Sequence, residues 1–218
     1  MNTANEKSRG YQKIESAVRA FNFDFRGKTV LDIGSSTGGF TELALKYGAK
    51  KVIAVEKGTN QMKTPLRFDP RIDLHEKTDI FDVEVSNFRG LKDTFPEDHR
   101  LGRTALSVSE GKVFLSSKID VIVADVSFLS LTKILNYAKL NLARPSTDFL
   151  VMLKPQFEAR KDQLTKGVVK NESIRRKIIK DFEFWLKQNG FVIIKKRDND
   201  LTGKTGNRER FYFLRLAK

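Results

Sequence analysis

The sequence predicts an α/β fold, a mostly parallel sheet with helices on both faces. Three observations carry that expectation. Apolar runs of strand length recur at 29–33, 51–56, 119–124 and 148–153, each with a charged residue at or near its carboxyl end. Stretches with apolar residues at helical spacing separate several of them. The first run enters a helix through a glycine-rich turn, TVLDIGSSTGGF (29–40). A strand feeding a helix through such a turn is the first half of a βαβ nucleotide site, where ligands lie beyond the strand ends.

Taken in order, residues 1–10 are polar, and 11–23 carry Ile14, Ala17, Val18 and Phe21 at helical spacing, which puts Lys13 near a helix start. Arg26, Gly27 and Lys28 form a turn. Val30, Leu31 and Ile33 suit a buried strand with Asp32 at its carboxyl end. Gly34, Gly38 and Gly39 let the backbone bend sharply and approach a ligand. Phe40, Leu43, Ala44 and Leu45 continue as a helix that Gly48 ends. Residues 51–56 (KVIAVE) form a second strand closed by Glu56. A carboxylate some twenty residues past the turn can accept hydrogen bonds from a ribose, although an acid there can also cap a helix.

The spacing then predicts a short helix over 61–68, a weak strand over 71–75, and Thr78, Asp79 and Ile80 closing the ligand half. Residues 81–118 lack periodicity and mix charges with Gly and Pro. An unstructured connection of that length is unusual in a compact domain, so it reads as an insertion, with a hairpin around Glu110, Gly111 and Lys112. Further elements follow: a strand at 119–124, a helix at 130–142, a strand at 148–153 running into Lys154 and Pro155, and a basic loop at 160–169. Asn171 caps a helix reaching about 188, with Ile174, Ile178, Phe182 and Trp185 on one face. Strands at 191–195 and 211–216 flank a polar loop at 198–206. The expected organisation is one domain over 1–218, with 1–27 as an N-terminal extension and helix.

Composition narrows the chemistry. A net charge of +14 favours a polyanionic partner. Nucleic acid leads over a membrane surface, because the basic residues are spread over loops and helices. No apolar stretch approaches the roughly 20 residues of a spanning helix, and MNTANEKSRG lacks the apolar core of a signal peptide. A cytoplasmic protein is the expectation. The chain has no cysteine and only two histidines, His75 and His99, which argues against a metal site, a thiol nucleophile or a Ser-His-Asp triad.

Right-handed crossovers bring the carboxyl ends of parallel strands to one sheet edge, which would gather Asp32, Glu56, Asp79, Asp125 and Lys154. Charges in such places are costly unless paired or used, although Asp125 could cap a helix and Lys154 could form a surface ion pair. The turn itself discriminates between ligands. In Gly34-Ser35-Ser36-Thr37-Gly38-Gly39, Ser36 stands where a dinucleotide fingerprint wants its second glycine, so a pyrophosphate is disfavoured. Asp32 suits a ligand with an ammonium group, and S-adenosylmethionine is one.

LDIGSSTGGFTELALKYGAKKVIAVEKG, DVSFLSL, LKPQFEA with KGVVKN, and TGNRE, preceded by SRGYQK, occur in this order. Together they resemble the TlyA-type, haemolysin-labelled branch of the FtsJ-like ribosomal RNA ribose 2′-O-methyltransferases, over nearly the whole chain outside 81–118. The resemblance implies a Rossmann-like S-adenosylmethionine-dependent methyltransferase fold, a seven-stranded sheet with an antiparallel last strand, and a ribosomal RNA or ribosomal subunit as substrate. Members of that branch usually carry an N-terminal S4-type RNA-binding domain, and this chain is expected to be the catalytic domain without it.

By motif, the resemblance implies a catalytic tetrad of Lys13, Asp125, Lys154 and Glu209. It implies that the turn (Asp32, Gly34, Ser35, Ser36, Thr37, Gly38, Gly39, Phe40) holds the donor's methionine end. Glu56 would take the ribose hydroxyls and Asp79 the adenine amine, with Ile80 and Asp125 beside them. Lys154, held near Lys13 and partly desolvated, is expected to act as general base, with Asp125 and Glu209 orienting the lysines. The RNA surface is expected at Arg9, Arg19, Arg160, Lys161, Lys166, Lys170, Arg175, Arg176, Lys204 and Arg208. Competing readings are a non-catalytic RNA-binding relative and a membrane-acting haemolysin.

Overall fold

Seven strands form the main sheet in the order β3-β2-β1-β7-β8-β10-β9. The computed structural model describes residues 7–85, 108–109, 112–203 and 206–217. The strands are β1 (Thr29–Ile33), β2 (Lys51–Val55), β3 (Ile72–His75), β7 (Val121–Ala124), β8 (Asp148–Leu153), β9 (Phe191–Asp198) and β10 (Arg210–Leu216). β1, β2, β3, β7 and β8 pair in parallel, while β10 runs antiparallel to both β8 and β9. The expected architecture is therefore present. The last strand enters between β8 and β9, so β8 is flanked on both sides and all six of its residues are buried.

Helices cover both faces. α1 (Arg9–Phe21) and α2 (Gly39–Lys46) pack on one side with Phe25, Val30, Leu150 and Phe211. α3 (Leu131–Asn141) and α5 (Glu172–Gln188) pack on the other with Leu31, Ile122, Phe149 and Tyr212. Alternate residues of each strand feed alternate cores, which is why these strands read as continuous apolar runs. Ser8 caps α1, Ser130 caps α3 and Asn171 caps α5 through side-chain oxygens that accept backbone N–H groups. α4 (Pro155–Glu158) is a single turn, and Glu158 reaches back to Ser130 Oγ and the Leu131 N–H at 2.6 and 2.7 Å. The segment after Lys154 is thereby locked to α3.

Three expectations change. Residues 61–68 form no α-helix, only a 3₁₀ turn at Leu66–Phe68. The N–H groups of Asn60, Gln61 and Met62 are taken by the Glu76 carboxylate, and Pro65 has no N–H to give. The strand at 191–195 extends to Asp198, because β10 supplies partners as far as Arg210. Within 81–118, β4 (Val83–Val85), β5 (Val108–Ser109) and β6 (Lys112–Leu115) form a second sheet in the order β4-β6-β5. β5 and β6 pair antiparallel as a hairpin would, while Glu110, Gly111 and residues 86–107, including His99, lie outside the described residues.

Candidate active site

The turn after β1 is shaped by what its glycines touch. Gly34 (φ +80°) lies where a Cβ would come within 3.2 Å of the Asp125 carbonyl. Gly38 (φ +91°) would meet Leu66 Cδ1 at 2.7 Å. At Gly39 an added Cβ would overlap Ser8 Oγ and the Tyr11 nitrogen, both at 2.6 Å. The missing Cβ of Gly39 therefore admits the start of α1. Phe40 likewise turns inward, its ring 6.1 Å from that of Phe211 in the core, which leaves only its backbone at the turn. Ser36 is exposed, holds φ +47°, unusual for a residue with a Cβ, and donates its N–H to Glu56 Oε2 at 2.9 Å. Thr37 is exposed beside it.

Asp32 is fully buried. Its Oδ2 accepts the Thr41 hydroxyl at 2.6 Å, and its Oδ1 has no hydrogen-bond partner. Burial pushes this carboxyl up to about 7, with the Thr41 hydroxyl opposing and the charge of Asp125 adding. Ser35 Oγ is also buried without a partner. Buried polar atoms are nearly always satisfied, so two oxygens at one turn without a partner among the described residues are exceptional.

Glu56 stands at the end of β2, its N–H on the His75 carbonyl and its Oε1 accepting the Gly58 N–H at 2.6 Å. The Thr78 N–H donates to the Glu56 carbonyl, which brings Asp79 alongside. Asp79 accepts the Phe81 N–H and pairs with Lys57 at 2.8 Å. Hydrogen bonds from Lys57 and the backbone outweigh burial and hold its carboxyl below the usual range. Ile80 is buried beneath it. His75 is buried with Nε2 3.1 Å from Asp73.

Four further charges form two ion pairs. Lys13 Nζ lies 2.6 Å from Glu209, both side chains nearly buried. Lys154 Nζ lies 2.6 Å from Asp125 and 2.9 Å from Ser127 Oγ. The register explains why these pairs share an edge. β10 pairs with β8 from Arg210 opposite Leu153, so Glu209 and Lys154 are the next residues out at the same end of that ladder. Asp125 follows β7, the neighbour of β8, and its N–H bonds the Ile33 carbonyl just before Gly34. α1 delivers Lys13 across the top, its first turn seated on Gly39.

Aromatic residues that the sequence reading passed over complete this edge. Phe128 is 91 % exposed at φ +65°, its ring 5.3 Å from that of Phe157. Lys154 Nζ is 5.9 Å from the Phe157 centroid. A phenylalanine held outward in a left-handed conformation is costly on both counts. The available signal was its place three residues past Asp125.

The chain matches the FtsJ-like methyltransferase model over residues 7–216. It belongs to that family. It is 34 % identical over 209 residues to the 16S/23S rRNA (cytidine-2′-O)-methyltransferase TlyA of Mycobacterium tuberculosis, an alignment covering 95 % of this chain and 68 % of that one. It is 34 % identical over 206 residues to Hemolysin A of Brachyspira hyodysenteriae, covering 93 % and 73 %. A solved protein of Lactococcus lactis that carries a hemolysin name superposes with a TM-score of 0.78 at 30 % identity, covering 95 % and 87 %. The sheet order and the antiparallel β10 are thus those of a methyltransferase fold.

The expected basic surface divides. Lys161, Lys166, Lys170 and Arg176 are exposed. Arg19 pairs with Glu15, Arg160 with Asp162, and Arg208 with Glu172 and Asp198, all from exposed positions. Arg9 reaches the Thr202 carbonyl. Arg175 does not belong to this surface. It is buried, with its guanidinium 2.8 Å from Asp198 and donating to the Arg208 carbonyl, because it lies on the face of α5 that carries Ile178 and Ile179 inward. Lys204 lies outside the described residues. Among the described residues, no helix is long and apolar enough to cross a membrane.

Proposed function

We propose that this chain is a cytoplasmic enzyme that transfers the methyl group of S-adenosylmethionine to a ribose 2′-hydroxyl of ribosomal RNA, with Lys154 as general base. The observation that carries this reading is the convergence of two lysine–carboxylate pairs at the end of the β8–β10 ladder, next to the turn after β1. The names of the relatives support the RNA ribose as substrate. The exposed basic loop gives a polyanion somewhere to lie, and Phe128 and Phe157 offer rings on which an unstacked base can rest.

The residues present fit the donor. Asp32 Oδ1 and Ser35 Oγ supply unsatisfied acceptors for the methionine end, Glu56 offers its carboxylate to the ribose, and Asp79 offers an acceptor to the adenine amine. When bound, S-adenosylmethionine supplies an electrophilic methyl on a positively charged sulfur. A ribose hydroxyl becomes a competent nucleophile as its proton is removed, and in this reading Lys154 takes it. Asp125 and Ser127 fix the Lys154 amine from two sides, which aligns its lone pair once it is neutral. Lys13, tied to Glu209, contributes positive charge next to the developing oxyanion.

The test is to incubate ribosomal RNA and intact subunits with the protein and labelled donor, then map methylated nucleosides by mass spectrometry. A 2′-O-methylated nucleoside at a defined position is expected. Base methylation would overturn the ribose assignment, and RNA binding without methyl transfer would make the chain a non-catalytic relative. The haemolysin name of one relative prompts a control, in which liposome leakage is expected to be negative.

A further inference from the structure

Residues 57–68 connect β2 to the start of β3 without a regular helix, yet they are held firmly. The Glu76 carboxylate accepts the N–H groups of Asn60, Gln61 and Met62 at 2.8, 2.7 and 3.3 Å, and Arg67 completes the set at 2.6 Å. The Arg67 guanidinium and these backbone donors hold the Glu76 carboxyl at about 2, so the anchor stays charged at any physiological pH. Met62 and Leu66 pack over Gly38, close enough that a Cβ there would meet them at 3.4 and 2.7 Å. The connection is thus fastened to β3 on one side and to the turn on the other.

That fastening places the Gln61 side chain. Its Nε2 is 3.3 Å from Glu56 Oε1, and its Oε1 accepts the Ser36 hydroxyl at 3.2 Å. A Cβ at Gly58 would fall 1.8 Å from the same Nε2, so Gly58 is what leaves room for the amide. The carboxylate of Glu56 is oriented by two backbone donors, the N–H groups of Ser36 and Gly58, at 2.9 and 2.6 Å. The amide contacts of Gln61 are the longest of this set and are solvent-exposed, so they can be exchanged for ligand hydroxyls at little cost. A carboxylate only accepts hydrogen bonds, whereas a carboxamide both donates and accepts, and a vicinal diol offers both kinds of group.

The geometry points to Gln61 as a second ribose-recognising side chain, which together with Glu56 selects a donor bearing both ribose hydroxyls. This rests on the reading that Glu56 binds the donor ribose. Glu76 and Arg67 then act as positioning residues, because they touch the loop and not the diol.

The probe is S-adenosylhomocysteine, with its 2′-deoxy and 3′-deoxy analogues, measured by calorimetry against the full chain and the variants Gln61→Ala and Glu56→Ala. Melting temperatures are recorded without ligand. Gln61→Ala is expected to weaken S-adenosylhomocysteine roughly three- to tenfold, to shrink the preference for ribose over deoxyribose by a similar factor, and to leave the unliganded melting temperature unchanged. Unchanged affinity in Gln61→Ala alongside a clear loss in Glu56→Ala overturns the inference and leaves the ribose reading of Glu56 intact. An equal loss for ribose and deoxyribose ligands, or a lowered melting temperature in Gln61→Ala, overturns it as well. Unchanged affinity in Glu56→Ala removes the reading on which it rests.

Discussion

Two ion pairs at one sheet edge have the same N···O separation, 2.6 Å, and different surroundings. Lys13 and Glu209 sit at 9 % and 3 % side-chain exposure, Lys154 and Asp125 at 11 % and 21 %. Glu209 is enclosed by its own loop: its carbonyl takes the Asn199 N–H, and a Cβ at Gly203 would lie 3.3 Å from its Oε1. Asn207, two residues before it, bonds the Val169 N–H and the Gly167 carbonyl at 3.0 and 3.1 Å. Lys154 has instead one carboxylate, one exposed serine and the ring of Phe157, 5.9 Å from its amine. The two pairs thus differ chiefly in their carboxylates, Glu209 being closed off and Asp125 keeping 21 % of its side chain exposed.

That contrast breaks most visibly in activity. Lys154→Ala is expected to lower kcat roughly 10²- to 10⁴-fold while leaving the affinity for S-adenosylhomocysteine within about twofold and the melting temperature nearly unchanged. Single-turnover methyl transfer and calorimetry measure the two quantities. Retained turnover would strip Lys154 of its role.

In the sealed pair the larger effect is on folding. Lys13→Met leaves the Glu209 carboxylate buried without its cation and is expected to cost about 3–5 kcal/mol of stability, read from urea midpoints. A loss below about 1 kcal/mol would show that the Glu209 enclosure tolerates an unpaired charge, and the distinction between the pairs would fail.

Asp32 sharpens the comparison through pH, because it is buried without any cation. Its folded carboxyl titrates near 7, against about 4 in an unfolded chain. Between those values the folded state holds a proton that the unfolded state has lost, so stability falls as pH rises from about 4 to about 7 and levels off above. Asp32→Asn removes this contribution, and denaturation midpoints across that window should decline less steeply than in the parent chain.

The smallest effects belong to exposed cations. Each of Lys161→Ala, Lys166→Ala and Lys170→Ala is expected to lower the salt dependence of RNA binding by roughly 0.7–0.9 in log–log slope if it meets a phosphate. Arg175→Ala should leave that slope unchanged and instead destabilise the fold, since its guanidinium is bound to Asp198 inside the protein.

What could be read along the chain was whatever local chemistry dictates. β1, the glycine turn and α2 were legible because a buried strand, a backbone bend and an amphipathic helix each leave their own residue pattern. Glu56, Asp125 and Lys154 were legible as charges closing apolar runs. The segment at 61–68 was not, because its helical-looking spacing lost its backbone donors to Glu76, a residue whose approach depends on β3. Arg175 was misplaced for a related reason: a cation in the inward stripe of α5 is held there by Asp198 and the Arg208 carbonyl, and Asp198 lies at the end of a strand longer than its own apolar run suggests.

By itself the sequence determined the α/β alternation, the turn and the family motifs, since these follow from the bonding and steric preferences of neighbouring residues. Only the tertiary structure decided which lysine meets which carboxylate, which glycine makes room for α1, and that Phe128 stands in solvent. Those outcomes depend on strand register and on helices packed from opposite ends of the chain, and contacts between residues far apart in sequence are set by that global packing.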